Sequence, residues 1–313
     1  MQQIKDFVVG KPVNGNYLIR SIEFKMTRGG GSFDIELGDA TGTIEAKKWQ
    51  TTEEQMAVYP AGSLVNINGL VTEWNNQPQL TINMMNVVED ADLSAYVKMP
   101  KERVQDLMEI LYQYIDKINY EDIRTVVRTV INENRDQLFI IPAAAKNHHA
   151  YYGGLLYHKV QMLRMAEFIC TLRPFLKPGL VYAGIILHDI GKVHEMQSTP
   201  WTTATYTTRG RLVGHVCQAV FMMHKAAFKK GISIDNDLFL QLEHILLSHH
   251  GLKEHGSPVE PQTPEAYAVN HIDGLDAGLQ AMEDAINQTP LDKNETERLG
   301  MINRRTVSIF RET

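Results

Sequence analysis

The sequence predicts a multidomain α and β protein: a small N-terminal β-barrel followed by an all-α domain. Residues 1–90 alternate apolar and polar positions in short runs separated by turn residues. The period changes after Glu89-Asp90-Ala91-Asp92, and from Lys101 onward apolar residues recur at helical spacing. Pro100 stands just before the first long helical pattern. These observations divide the chain into a barrel over 1–90, a linker over 91–100 and a helical domain over 101–313.

The strand-like runs are Tyr17 to Ile22, Phe33 to Leu37, Thr43 to Ala46, Leu64 to Asn68 and Leu80 to Ile82. Turn signals lie between them at Gly29-Gly30-Gly31, Gly38 to Gly42, Pro60-Ala61-Gly62 and Asn75 to Pro78. About five short strands in this length suit a closed barrel better than an open sheet. In the helical part, Val104, Leu107, Met108, Leu111, Tyr112 and Ile115 form one stripe, and Ile123, Val126, Val127, Val130 and Ile131 a second. Ser198 to Arg211 is the exception. Its β-prone Trp201 to Thr208, closed by Arg209-Gly210-Arg211, predicts a loop or hairpin between helices.

Composition narrows the class. Thirty-one Lys and Arg against 37 Asp and Glu make the chain mildly acidic, so bulk charge gives no support to nucleic-acid binding and a local groove would have to supply it. The two cysteines, Cys170 and Cys217, lack a second cysteine at zinc-ligand spacing and read as buried reduced thiols. No basic segment followed by a long apolar run opens the chain, and the longest apolar runs, such as Leu180 to Leu187, are too short for a membrane span. A cytoplasmic protein without membrane partners is expected.

The histidines carry the chemistry. His158 follows Gly153-Gly154-Leu155-Leu156-Tyr157; His188 and Asp189 are adjacent in Leu187-His188-Asp189-Ile190-Gly191-Lys192; His215 follows Leu212-Val213-Gly214; His249 and His250 follow Leu246-Leu247-Ser248; Asp273 follows Asn270-His271-Ile272. A single histidine is ordinarily a core or surface residue, but each of these sits beside an apolar helical run that can aim it at one centre. Imidazole with carboxylate suits manganese, iron, cobalt or zinc. Asp189 is the natural bridge, since two ions roughly 3.5–4 Å apart can clamp a phosphoryl group.

The order His158, His188-Asp189, His215, His249-His250, Asp273 resembles the HD phosphohydrolase superfamily. The resemblance implies an all-α fold in which His158, His188, Asp189 and Asp273 hold one ion. Asp189, His215 and His249 or His250 would hold the second. Adjacent helical residues point about 100° apart, so the choice between His249 and His250 stays open. Lys192, three residues after Asp189, would neutralise a phosphate oxygen in the transition state, or else be a solvated lysine past a helix end. His148 and His149 precede the first ligand, and His149 is the candidate to protonate a leaving oxygen. His194, His224, His244, His255 and His271 read as structural or exposed.

Gly31 to Trp49 and Gly62 to Ile82 resemble the strands of nucleic-acid-binding OB-folds, which stack single-strand bases on aromatic residues within a basic groove. The candidates are Phe24, Lys25, Arg28, Phe33, Lys47, Lys48, Trp49 and Trp74. Phe33 and Trp49 lie on alternating strands, so a core role competes for at least one of them. Residues 1–90 carry seven Lys or Arg against eleven Asp or Glu, which leaves the binding to a local patch.

Over nearly the whole chain, an OB-like barrel followed by an HD domain resembles the YhaM-type 3′→5′ exoribonucleases. His148 to His158 and Arg209 to Val216 look like that family's signatures. The resemblance implies two divalent ions, with manganese preferred, and trimming of single-stranded RNA 3′ ends with release of nucleoside 5′-monophosphates. It also implies homo-oligomers and single-stranded DNA as a further ligand. The alternatives are a phosphohydrolase of small nucleotides or cyclic dinucleotides, and a single-strand DNA-binding factor with a vestigial site.

Overall fold

The computed structural model describes residues 2–27, 29–75, 77–89, 92–97, 99–143, 151–199, 201–289, 293–300 and 305–310. They form two compact units, Met1–Met99 with Ser198–Thr203, and Pro100–Gln197 with Ala204–Thr313. The first unit runs past residue 90 through the stretch expected to be a linker. It also takes in a short segment from far along the chain, because Thr203 donates its backbone N–H to Arg20 O (3.1 Å) and its hydroxyl to Glu36 Oε2 (2.6 Å).

The first unit is a closed five-stranded barrel built from β1 (Pro12–Thr27), β2 (Gly30–Asp39), β3 (Gly42–Trp49), β4 (Leu64–Trp74) and β5 (Gln77–Val87). Its order is β1-β2-β3-β5-β4, closed by β1 against β4, with β3 and β5 parallel and the other pairs antiparallel. This is an OB-like barrel. The strands outrun the sequence expectation, β1 most of all. The inward period of two explains the core: Phe33, Ile35 and Leu37 from β2 meet Ile44 and Ala46, Val65 and Ile67, and Leu80 and Ile82. Register slips after Ile19 in β1 and at Asn83 in β5 add the local twist that closure requires.

The second unit is helical: α1 (Val104–Asp116), α2 (Glu121–Glu133), α3 (Arg135–Leu138), α4 (Gly154–Leu172), α5 (Pro178–Leu187), α6 (Lys192–Glu195), α7 (Thr208–Lys230), α8 (Asp237–Ser248) and α9 (Pro264–Gln288). Its central element is α5, which is apolar all round and buried from Gly179 to Leu187. Pro178 starts it at the position where a missing N–H costs nothing. Helices α4, α8 and α9 pack against α5, so residues at its C-terminal end emerge in the interior of the unit. The segment expected as a hairpin is shorter than the sequence suggested. Met196–Gln197 (β6) pairs with Thr205–Tyr206 (β7), and Arg209-Gly210-Arg211 belongs to the first turn of α7. Thr207 caps that helix by accepting from Gly210 N at 2.9 Å, a side-chain role that strand propensity does not reveal. No helix among the described residues is long and apolar enough to cross a membrane.

Candidate metal centre and nucleic-acid face

The C-terminal end of α5 delivers His188 and Asp189, both buried. His188 donates Nδ1–H to Ile185 O at 2.8 Å, which leaves Nε2 facing Asp189 Oδ2 at 3.4 Å. The end of α8 repeats the device: His249 donates Nδ1–H to Leu246 O at 2.7 Å and points Nε2 toward Asp189 Oδ1, 3.7 Å away. Asn270 Nδ2 donates to His249 O at 2.7 Å and holds that turn. In both cases the chain's own carbonyl selects the tautomer whose Nε2 is a free ligand.

His215 is placed by a break in α7. Gly214 has φ +71° within the helix, a conformation that L side chains rarely adopt, and the kink turns His215 inward. Glu195 Oε1 then accepts from both the backbone N (3.1 Å) and Nδ1 (3.0 Å) of His215, whose Nε2 lies 3.3 Å from Asp189 Oδ1. Gly191 permits the approach, since a Cβ there would lie 2.1 Å from His215 O. From α4, fully buried His158 meets Asp276 Oδ2 through Nδ1 (2.6 Å) and Asp273 Oδ1 through Nε2 (3.2 Å), both carboxylates on α9.

Two ligand groups result. One donor atom each from Asp189, His215, His249 and His250 lies within 4.8 Å of the others, and His158, His188 and Asp273 form a second such group. The sequence left His249 and His250 as alternatives; the structure brings both into the first group, with His250 Nε2 3.2 Å from His215 Nε2. The chemistry of the set fits divalent ions, and one further observation supports that fit. His188 Nε2, His249 Nε2 and Asp189 Oδ1 are buried without a hydrogen-bond partner among the described residues, an arrangement that costs free energy unless something else binds them.

The electrostatics follow from the packing. Burial lowers His188 to about 3 and, with the neighbouring His249, His250 to about 4, so both imidazoles are neutral at pH 7. Burial would depress His158 as well, but Asp273 and Asp276 outweigh it and raise His158 to about 9. Burial likewise opposes ionisation of Asp189, yet Lys192 and His188 hold it well below the usual carboxylate range.

Lys192 donates to Asp189 Oδ2 at 2.5 Å and to Ala143 O at 2.6 Å. Its ammonium is engaged with the carboxylate and a carbonyl, which makes it first a holder of Asp189. His149 lies outside the described residues. The sequence reading missed Asp276, Glu195 and Lys159. Asp276 was legible as the residue one turn beyond Asp273 on the same helix. Glu195 and Lys159 had no signal, because their roles depend on partners from other elements. Lys159, next to His158, is fully buried with no partner for Nζ among the described residues, and burial lowers it to about 7.

On the barrel, Phe33 is a correction. It is fully buried, packed edge-on against Phe24 and Tyr59, because it shares the inward face of β2 with Ile35 and Leu37. It has no face to offer a base, and Phe24 packs against the same core. Arg28 lies outside the described residues. Lys25 and Lys47 both pair with Asp34, each at 2.9 Å, and Lys25 also with Glu23, so much of the expected positive patch is neutralised in place. Lys48 donates to Asn83 O at 3.2 Å. Trp49 is 45% exposed, with Lys47 Nζ 4.7 Å from its ring centre, and Trp74 is 65% exposed. Lys47 stands opposite Thr81 and Trp74 opposite Gln77, four residues away along β5.

Residues 155–278 match the HD domain family model, and residues 92–179 match a family described as a putative helicase. Among solved structures, the chain is similar to the second OB-fold domain of replication protein A from Methanococcus maripaludis, at 14% identity and TM-score 0.24, covering 29% of this chain and 97% of that one. It is also similar to a replication protein A heterotrimer bound to ssDNA, at 18% identity and TM-score 0.22, covering 29% of this chain and 65% of that one. An aspartyl tRNA synthetase from Entamoeba histolytica matches at 15% identity and TM-score 0.22, over 51% of this chain and 41% of that one. The architecture is an OB-like barrel followed by a helical domain that matches the HD domain family model.

Proposed function

We infer that the chain is a metal-dependent 3′→5′ exoribonuclease that trims single-stranded RNA, with single-stranded DNA as a further ligand of the barrel. The observation that carries the hydrolytic reading is the position of Asp189. Its Oδ1 faces His215 and His249 and its Oδ2 faces His188, so one carboxylate touches both ligand groups. When bound, two divalent ions, manganese foremost and iron, cobalt or zinc by the same donor set, would supply Lewis acidity toward a phosphodiester and activate water at neutral pH.

The chain's own residues prepare that chemistry. Asp276 and Glu195 orient His158 and His215, while backbone carbonyls orient His188 and His249. Lys192 holds Asp189 ionised and in place, and the depressed proton affinities of His188 and His250 keep both rings free to ligate. His149 is the proposed donor to the leaving 3′ oxygen. Trp49 and Trp74 offer exposed aromatic faces for unstacked bases, supported by Lys47, Lys48, Lys25 and Arg28. Self-association belongs to the same reading and is measured by light scattering.

The test is a gel assay on 5′-labelled single-stranded RNA with manganese or with chelator, using wild type and Asp189→Ala. The expected result is a ladder shortening from the 3′ end, lost with chelator and in the variant. Intact RNA in every lane, or products ending in 3′-phosphate, would overturn the scheme. One observation favours a second reading, hydrolysis of small nucleotides: Lys25 and Lys47 are already paired with Asp34. Cleavage of a cyclic dinucleotide with RNA left intact would select it.

A further inference from the structure

His194, one of the histidines read as structural or exposed, lies in a second cluster of the helical unit. A cavity of about 340 Å³ is lined by His194 from α6 and by Arg209, Gln218, Phe221, Met222 and Lys225 from α7. That volume is at the lower end for small-molecule sites, about 300–1,000 Å³. None of these residues belongs to the metal groups, and the inference stands if the hydrolytic reading fails.

Three basic side chains, His194, Arg209 and Lys225, converge here. No carboxylate pairs with Arg209 or Lys225 among the described residues. The nearby Glu195 is already engaged by His215. The crowding registers on His194, whose proton affinity is lowered by burial and then by the charges of Arg209 and Lys225. Cations gathered without a counter-charge favour an anion at the point where they converge.

Gln218 is the independent observation. It is 1% exposed, and its Oε1 accepts from Arg209 Nε at 3.0 Å, which fixes the orientation of the amide. The other end, Nε2, is buried with no partner among the described residues. A buried N–H beside two cations is a donor waiting for an acceptor. Phe221, 54% exposed, and Met222 add an apolar wall to the same cavity.

The geometry points to a second nucleotide site, in which Arg209, Lys225, His194 and Gln218 Nε2 hold a phosphate and Phe221 carries the base. A nucleoside monophosphate presents this chemistry either free or as the terminal unit of a strand, and one experiment separates the two sources.

Lysine acetylation of the full chain is followed by peptide mass spectrometry, with Lys225 compared against Lys230 on the same helix. The probes are adenosine 5′-monophosphate, adenosine, inorganic phosphate and a single-stranded RNA oligomer with phosphorothioate linkages. At a ligand concentration ten times its Kd, an occupied site slows Lys225 acetylation about tenfold. Protection by the monophosphate supports a free-nucleotide site, and protection by the oligomer alone supports a strand terminus. In either case adenosine gives none, and Arg209→Gln removes the effect. Phe221→Ala, at an exposed position, weakens protection by the nucleotide and leaves protection by inorganic phosphate. Equal protection by phosphate and monophosphate, unchanged in Phe221→Ala, would show an anion site without base recognition and overturn the nucleotide assignment. No protection by any probe would overturn the site altogether.

Discussion

Asp276 is the residue through which the candidate metal centre is most directly tested, because it touches a ligand without being one. Its Oδ2 accepts from His158 Nδ1 at 2.6 Å, in a site where both side chains are buried. Replacing it with alanine removes a charge-assisted hydrogen bond and frees the imidazole ring to turn or change tautomer. A hydrogen bond to a charged group contributes about 1.5–3 kcal/mol. At 1.4 kcal/mol per factor of ten, the Asp276→Ala chain should bind manganese roughly 10- to 100-fold more weakly, the range typical for residues that orient a ligating histidine. Asp276→Asn keeps a carbonyl oxygen for the same N–H and should recover most of the loss. The assay is competition for manganese against a fluorescent chelator, on full-length protein whose far-UV spectrum matches wild type. Unchanged affinity in Asp276→Ala would refute the orienting role. Equal losses in the alanine and asparagine variants would show that charge, not orientation, is what Asp276 supplies.

Gly214→Ala tests the kink that aims His215: the added Cβ meets nothing within 4 Å, so the cost is backbone strain of about 1–3 kcal/mol at φ +71°, ψ 163°. A lower melting temperature and a loss of hydrolysis are expected together, and full activity would mean that the kink is dispensable. On the barrel, Phe33→Ala should destabilise the fold by about 3–5 kcal/mol in urea unfolding. Trp74→Ala should leave stability within about 0.5 kcal/mol and weaken single-stranded RNA binding by about 1–3 kcal/mol in filter binding. The reverse pattern would exchange their roles. In the metal-free chain the contribution of His158 to stability should fall with rising pH. His158 titrates at about 9 when folded and near the usual histidine value of 6.5 when unfolded, so its contribution is fully present below about pH 6.5 and is lost as pH rises through about 9. Because burial lowers Lys159 to about 7 and acts in the opposite sense, the check is a difference: the gap in melting temperature between wild type and His158→Asn should shrink as pH rises through that window.

The sequence alone determined the two-part construction, since a period of two followed by a period of 3.6 leaves few alternatives to a barrel and a helical domain. It also picked out the residues the structure gathers at Asp189, because each lies beside an apolar helical run, and burying such runs brings their ends together. Other features depended on contacts between distant residues. The alternation through Phe33, Ile35 and Leu37 was visible, but which face points inward is decided only when the barrel closes. The neutralisation of Lys25 and Lys47 needed Asp34 on the neighbouring strand. The turn that presents His215 needed Gly191 to admit its backbone and Glu195 to receive its N–H. A one-dimensional pattern carries local period and spacing. The partners that orient, neutralise or expose a side chain come from elsewhere in the chain, and only the tertiary structure decided them.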